Sequence, residues 1–108
     1  MKFELFQSEK NGKYYFNLKA ANGQVILSSQ GYASKSGALN GIESVQKNAT
    51  DKANFEVKEA ANGKFFFNLL AANKQVIGKS QMYASKSGME NGIKSVMTNA
   101  PQATVEEL

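Results

Sequence analysis

The 108 residues carry 42% hydrophobic and 20% charged side chains and a net charge of +4, the balance of an ordinary soluble globular chain. Cysteine and histidine are both absent, which removes disulfides, thiolate chemistry, the commonest general acid–base and any Cys/His zinc site. The basic charge comes from 13 lysines and no arginine, so no bidentate guanidinium fork is available to read guanine or to grip phosphate.

Phe3 to Gln7 (FELFQ) has the look of a short strand. Asn11-Gly12 then marks a hairpin turn, and Lys13 to Ala20 (KYYFNLKA) alternates Tyr14, Phe16 and Leu18 against Tyr15, Asn17 and Lys19. Asn22-Gly23 gives a second turn and Gln24 to Ser29 a third strand. The period changes after Tyr32: Ser34-Lys35-Ser36 suits a helix cap, and Ala38, Ile42, Val45 and Ala49 recur at helical spacing. This predicts a helix from Lys35 to Asn48. Thr50 to Asn54 is a connector too short to separate two domains.

The same plan follows again. Asn11 to Ala49 and Asn62 to Ala100 align at a constant offset of 51, with 27 of 39 columns identical. Strands are expected at Phe55–Glu59, Lys64–Leu70 and Gln75–Ser80, and a helix at Lys86–Asn99. Lys74 stands where the first copy has Gly23, leaving Asn73 as the expected left-handed residue of that turn. Ala103-Thr104-Val105-Glu106 reads like Ala53-Asn54-Phe55-Glu56, so Thr104 to Glu107 is expected to be a seventh strand that crosses to the other half. A half of ~50 residues buries too little to stand alone. One domain, 1–108, is therefore expected, built from repeat 1 (1–54) and repeat 2 (55–108), with an internal pseudo-dimer in a monomeric chain.

The pattern F-E-L, then N-G-K-[YF]-[YF]-F-N-L, A-A-N-x-Q-V-I and Y-A-S-K-S-G-x-x-N-G-I-x-S-V resembles the YegP-like proteins, small domains of unknown function that occur singly or as tandem pairs. The resemblance covers nearly the whole chain. It implies an α+β fold in which two β(3)-α-β units share one mainly antiparallel sheet, with exchanged C-terminal strands and two helices packed on it. It implies no activity. Lys74 and Gly78 depart from Gly23 and Leu27 of the first copy, so the two hairpins are not expected to be fully equivalent.

Few residues invite a chemical reading. Ser34-Lys35-Ser36 and Ser85-Lys86-Ser87 fit helix capping, weak anion binding at a helix start, or a Ser–Lys hydrolase pair, in falling order. Gly37 and Gly41, and Gly88 and Gly92, place two glycines one turn apart in each helix, which calls for a close approach by another element. Tyr15, Phe66 and Leu70 should lie on the sheet face away from the helices. Two-residue hairpin loops would add Ile26 and Ile77 to that face, and three-residue loops with a glycine bulge would move them. The leading expectation is a non-catalytic interaction module with a protein or peptide partner on an exposed apolar sheet face or edge. The second is a weak, nonspecific, lysine-driven binder of nucleic acid or another polyanion. No metal or cofactor is expected. No apolar run reaches a membrane span of ~18 residues, the opening MKFELFQSEK lacks the apolar stretch of a signal peptide, and the cytoplasm is the expected location.

Overall fold

The computed structural model describes every residue from Met1 to Leu108. Its elements are β1 (Lys2–Gln7), β2 (Tyr14–Lys19), β3 (Val25–Ser28), α1 (Lys35–Asn48), β4 (Phe55–Glu59), β5 (Phe65–Leu70), β6 (Val76–Ser80), α2 (Lys86–Asn99) and β7 (Thr104–Glu107). They form one seven-stranded sheet in the order β4-β5-β6-β3-β2-β1-β7. The repeats meet at its centre, where β3 and β6 run antiparallel with Leu27 opposite Ser80 and Ser28 opposite Lys79. Every neighbouring pair is antiparallel except β1 and β7. β7 leaves α2, which packs on β5, and docks on the far edge of the other repeat. The expected crossing strand is therefore present.

The alternation Phe16, Leu18 and Phe67, Leu69 puts fully buried side chains under the helices. Ala38, Ile42, Val45 and Ala49 answer from α1, and Met89, Ile93, Val96 and Ala100 from α2. All belong to a single hydrophobic core shared by both repeats. The helices span the residues expected of them.

The second glycine of each helix pair has a specific cause. A Cβ on Gly41 would sit 2.7 Å from Cζ of Tyr32 and 3.0 Å from Phe16, and one on Gly92 would sit 2.7 Å from Cζ of Tyr83. Each tyrosine stacks on the phenylalanine below it, Tyr32 on Phe16 at 6.1 Å and Tyr83 on Phe67 at 6.3 Å. The ring of the Tyr-Ala-Ser-Lys-Ser-Gly motif is thus wedged between helix and sheet, and only a glycine leaves it room. Burial raises the pKa of Tyr32 by disfavouring the phenolate.

Two expectations need correction. The Asn22 and Asn73 hairpins are three-residue loops: Ala20 N–H donates to the Gln24 carbonyl and Gly23 N–H to that of Ala20, and Ala71, Gln75 and Lys74 repeat the arrangement. A register shift follows between Leu18 and Lys19, and another between Leu69 and Leu70. This extra residue turns Ile26 and Ile77 away from the open face, and both are buried in the core. At the second hairpin the left-handed residue is Lys74 (φ 71°), not Asn73. Asn73 keeps the role its counterparts have. The side-chain oxygens of Asn11, Asn22, Asn62 and Asn73 each accept from the backbone N–H two residues on, which fixes the turn.

Candidate functional site

The surface left uncovered by the helices is the opposite face of the sheet. Tyr15, Phe66 and Leu70 all stand on it half-buried. Tyr15 stacks on Phe6 with ring centroids 5.9 Å apart, and its hydroxyl accepts from the Asn11 side-chain amide at 2.9 Å. Phe66 lies under the ammonium of Lys79, 4.9 Å from the ring centroid. These two aromatic centres are not one patch. β5 and β2 are separated by β6 and β3, three strand spacings or about 14 Å. Between them runs a row in register across all seven strands: Glu56, Asn68, Lys79, Ser28, Asn17, Glu4 and Glu106. All seven are polar. The face is a hydrogen-bonding plane with an aromatic group on either side of its centre.

Both ends of that row carry ion pairs: Lys58 lies 3.7 Å from Glu56 at one, and a larger network occupies the other. Lys19 reaches Glu4 at 2.8 Å, and Lys2 bridges Glu4 at 3.4 Å and Glu106 at 2.7 Å. The hydrogen bond from Lys19, followed by its charge and that of Lys2, holds the Glu4 carboxyl below the usual carboxylate range despite some desolvation. The carboxylate of Glu106, and then that of Glu4, raises Lys2 above the usual lysine value. This network joins β2, β1 and β7.

The Ser-Lys-Ser motifs start both helices. Ser34 Oγ accepts from Gly37 N–H at 3.0 Å and Ser85 Oγ from Gly88 N–H at 3.1 Å, so both are N-caps. Ser34 and Ser36 lie 3.2 Å apart through their hydroxyls, and Ser85 and Ser87 3.4 Å. Lys35 points elsewhere, with its ammonium 2.6 Å from Glu107 of β7. An exposed ammonium paired with a carboxylate is not arranged as a base for the serine. Lys86, at the matching position of α2, makes no ion pair. No group of three or more acidic side chains lies in metal-binding reach, and no helix is long and apolar enough to cross a membrane.

Sequence reasoning missed Ser29 and Ser80. Each accepts from the backbone N–H of the central phenylalanine, Phe16 or Phe67, at 2.9 Å, and donates to the following glutamine's carbonyl at 2.8 Å. They close the sheet ladder where the chain turns toward the helix. The repeated Ser-Gln pair was the available signal.

Both halves match the family described as a domain of unknown function, DUF1508, over residues 9–56 and 60–107. The chain belongs to this family. A UPF0339 protein in the ptx operon 5' region of Stutzerimonas stutzeri is 53% identical over 98% of this chain and 95% of its own length. The UPF0339 protein YegP of Escherichia coli is 50% identical over 97% of this chain and 94% of its own. The solution NMR structure of a UPF0339 protein from Shewanella oneidensis superposes with a TM-score of 0.92 at 51% identity, covering 99% of this chain and 90% of that one. The solution NMR structure of E. coli YegP gives a TM-score of 0.91 at 48% identity, covering 98% and 90%. The family resemblance read from the repeated motifs and the α+β tandem fold are thus shown. The relatives are uncharacterised, and nothing in them points to catalysis.

Proposed function

We propose that this member of the DUF1508 family is a non-catalytic interaction module of the cytoplasm that engages a protein partner through the sheet surface its helices leave uncovered. The observation that supports this is the placement of Tyr15 stacked with Phe6, and of Phe66 under the Lys79 ammonium, half-exposed on a face with no helix of its own. Large aromatics flanked by polar groups are the residues from which interface anchors are built. Capture from lysate on the immobilised protein, compared with a Tyr15→Ser/Phe66→Ser variant, tests it. A discrete partner retained by the native chain and lost by the variant is expected. Equal capture by both, or none by either, ends the reading.

One observation favours a second reading. Lys79 over the Phe66 ring, with Lys58 opposite Phe66 on the neighbouring strand, interleaves cation and aromatic as a polyanion surface does. Oligonucleotide affinity that falls steeply between 50 and 200 mM salt, about tenfold or more, would support it.

A further inference from the structure

The two outer edges of the sheet are not alike. β1 is covered by β7, in the register Phe3 to Val105, Glu4 to Glu106 and Leu5 to Glu107, and Leu108 N–H donates to the Leu5 carbonyl at 2.8 Å. β4 is the terminal strand at the other end and has nothing beside it. The two strands are equivalent. Phe3 and Phe55 stand opposite Leu18 and Leu69, and Glu4 and Glu56 opposite Asn17 and Asn68. Equivalent residues nevertheless differ sharply in exposure. Leu5 is 2% exposed and its counterpart Val57 49%. The side chain of Glu4 is 13% exposed and that of Glu56 42%. β4 therefore presents the surface that β1 would present without β7.

We infer that the outer edge of β4 is a docking site for an extended peptide of a partner protein, added parallel to β4 as β7 is added to β1. This rests on the interaction role proposed above and names its surface and ligand class. β7 shows what such a strand needs. Its Val105 lies beside Phe3 on the helix side, and its Glu107 is held by Lys35 at the start of α1. On β4 the corresponding groups are Phe55 and the unpaired Lys86. An aliphatic residue beside Phe55 and an acid beside Val57 would satisfy both. The residue between them differs from β7. Glu106 is neutralised by Lys2, but the Lys2 position in repeat 2 is Asn54, whose side-chain amide is taken by the Asn48 carbonyl. An acid there would have to share with Glu56 the single lysine present, Lys58 at 3.7 Å, where Glu4 and Glu106 are served by both Lys2 and Lys19, so a lysine or neutral residue is favoured. The ligand is thus an aliphatic residue, a non-acidic residue and an acid, in extended conformation. A second copy lending its β7 gains nothing, because it uncovers its own β1 in doing so.

The test is a residue-resolved amide titration of the full chain with the peptide Thr-Val-Lys-Glu-Leu to millimolar concentration. Saturable shifts at Phe55–Glu59 and at Lys86 are expected. Lys86→Ala should weaken binding about two- to fivefold, as loss of an exposed ion pair does. Val57→Pro should abolish it. By equivalence with Leu5, Val57 directs its backbone groups outward, and proline is tolerated on an edge while removing that donor. Thr-Val-Lys-Lys-Leu should bind more weakly than the acidic peptide. Absence of saturable shifts on β4 overturns the inference. Shifts confined to the face around Tyr15 and Phe66 also overturn it but leave the interaction role standing. Shifts on β4 that track protein concentration without peptide assign the edge to a second copy and overturn it too.

Discussion

Leu27 and Gly78 occupy the same place in the two repeats and touch across the joint between them. Leu27 is fully buried, and a Cβ built on Gly78 would lie 2.6 Å from its Cδ2 and 2.7 Å from its Cγ. The pseudo-two-fold passes through the Ser28–Lys79 pair, so each residue sits where the other's image would fall. Leu27→Gly alone removes a buried side chain, which costs about 2–5 kcal/mol for truncation and about 0.5–1 more for glycine in a strand. Gly78→Leu alone overpacks the joint by four carbons, at about 1–3 kcal/mol or above. If the sites were independent, the double variant would lose the sum, close to the whole stability of a small domain. The pseudo-symmetry instead predicts that exchanging the two residues refills the same volume from the other side. The exchanged protein should then be more stable than either single variant and within about 2 kcal/mol of the native chain. Urea unfolding of the four proteins closes the cycle. An exchanged protein that loses the full sum would show that Leu27 and Gly78 do not share one space.

Gly92→Ala should destabilise by about 1–2 kcal/mol although alanine is the better helix former, because overpacking against Tyr83 outweighs the propensity gain; in a Tyr83→Ala background thermal unfolding should show it stabilising. Leu5→Ala should cost about 2–5 kcal/mol and the equivalent Val57→Ala under about 1, since one is covered by β7 and the other half-exposed. Because the Glu4 carboxyl titrates below its unfolded value, its contribution is present above the unfolded carboxylate range and is lost as pH falls through the folded value; Glu4→Gln should flatten the acid limb of a stability–pH curve, and Lys19→Ala should move the carboxyl titration seen by NMR upward. Lys74→Gly should stabilise by up to about 1 kcal/mol in chemical unfolding, by relieving the only positive φ borne by a residue other than glycine.

The fold was legible because the chain states it twice and each statement is periodic. Both helices, β4 and β7 have the boundaries that pattern and caps indicate. What escaped was set by turns. Asn-Gly serves two-residue and three-residue loops alike, and here the glycine is the bulge residue of the longer one. One residue of loop then decided that Ile26 and Ile77 belong inside. The tyrosine wedges over Gly41 and Gly92 were half legible: the glycines announced a close approach, but the approaching ring lies nine residues earlier in each repeat, beyond local pattern. The polar row across the sheet could not be read at all. It exists only in the register of seven strands drawn from distant stretches of chain.

Fusion of two repeats in one chain also explains why the surface is uneven. A symmetric pair of identical units must give every residue the same partner in both halves. Leu27 could not then meet a glycine, and each outer edge would carry the same strand. Once both units share a chain, each position answers to its own neighbours. One copy keeps leucine at the joint and the other yields space. Lys2 and Lys35 secure Glu106 and Glu107 on one edge, while Asn54 and Lys86 on the other have no strand to hold. Within residues 1–108 there is one β7 for two equivalent edges. The duplicated architecture leaves one outer edge covered by its own chain and the equivalent one open, and the docking proposed above uses the open edge, where binding would not compete with the fold.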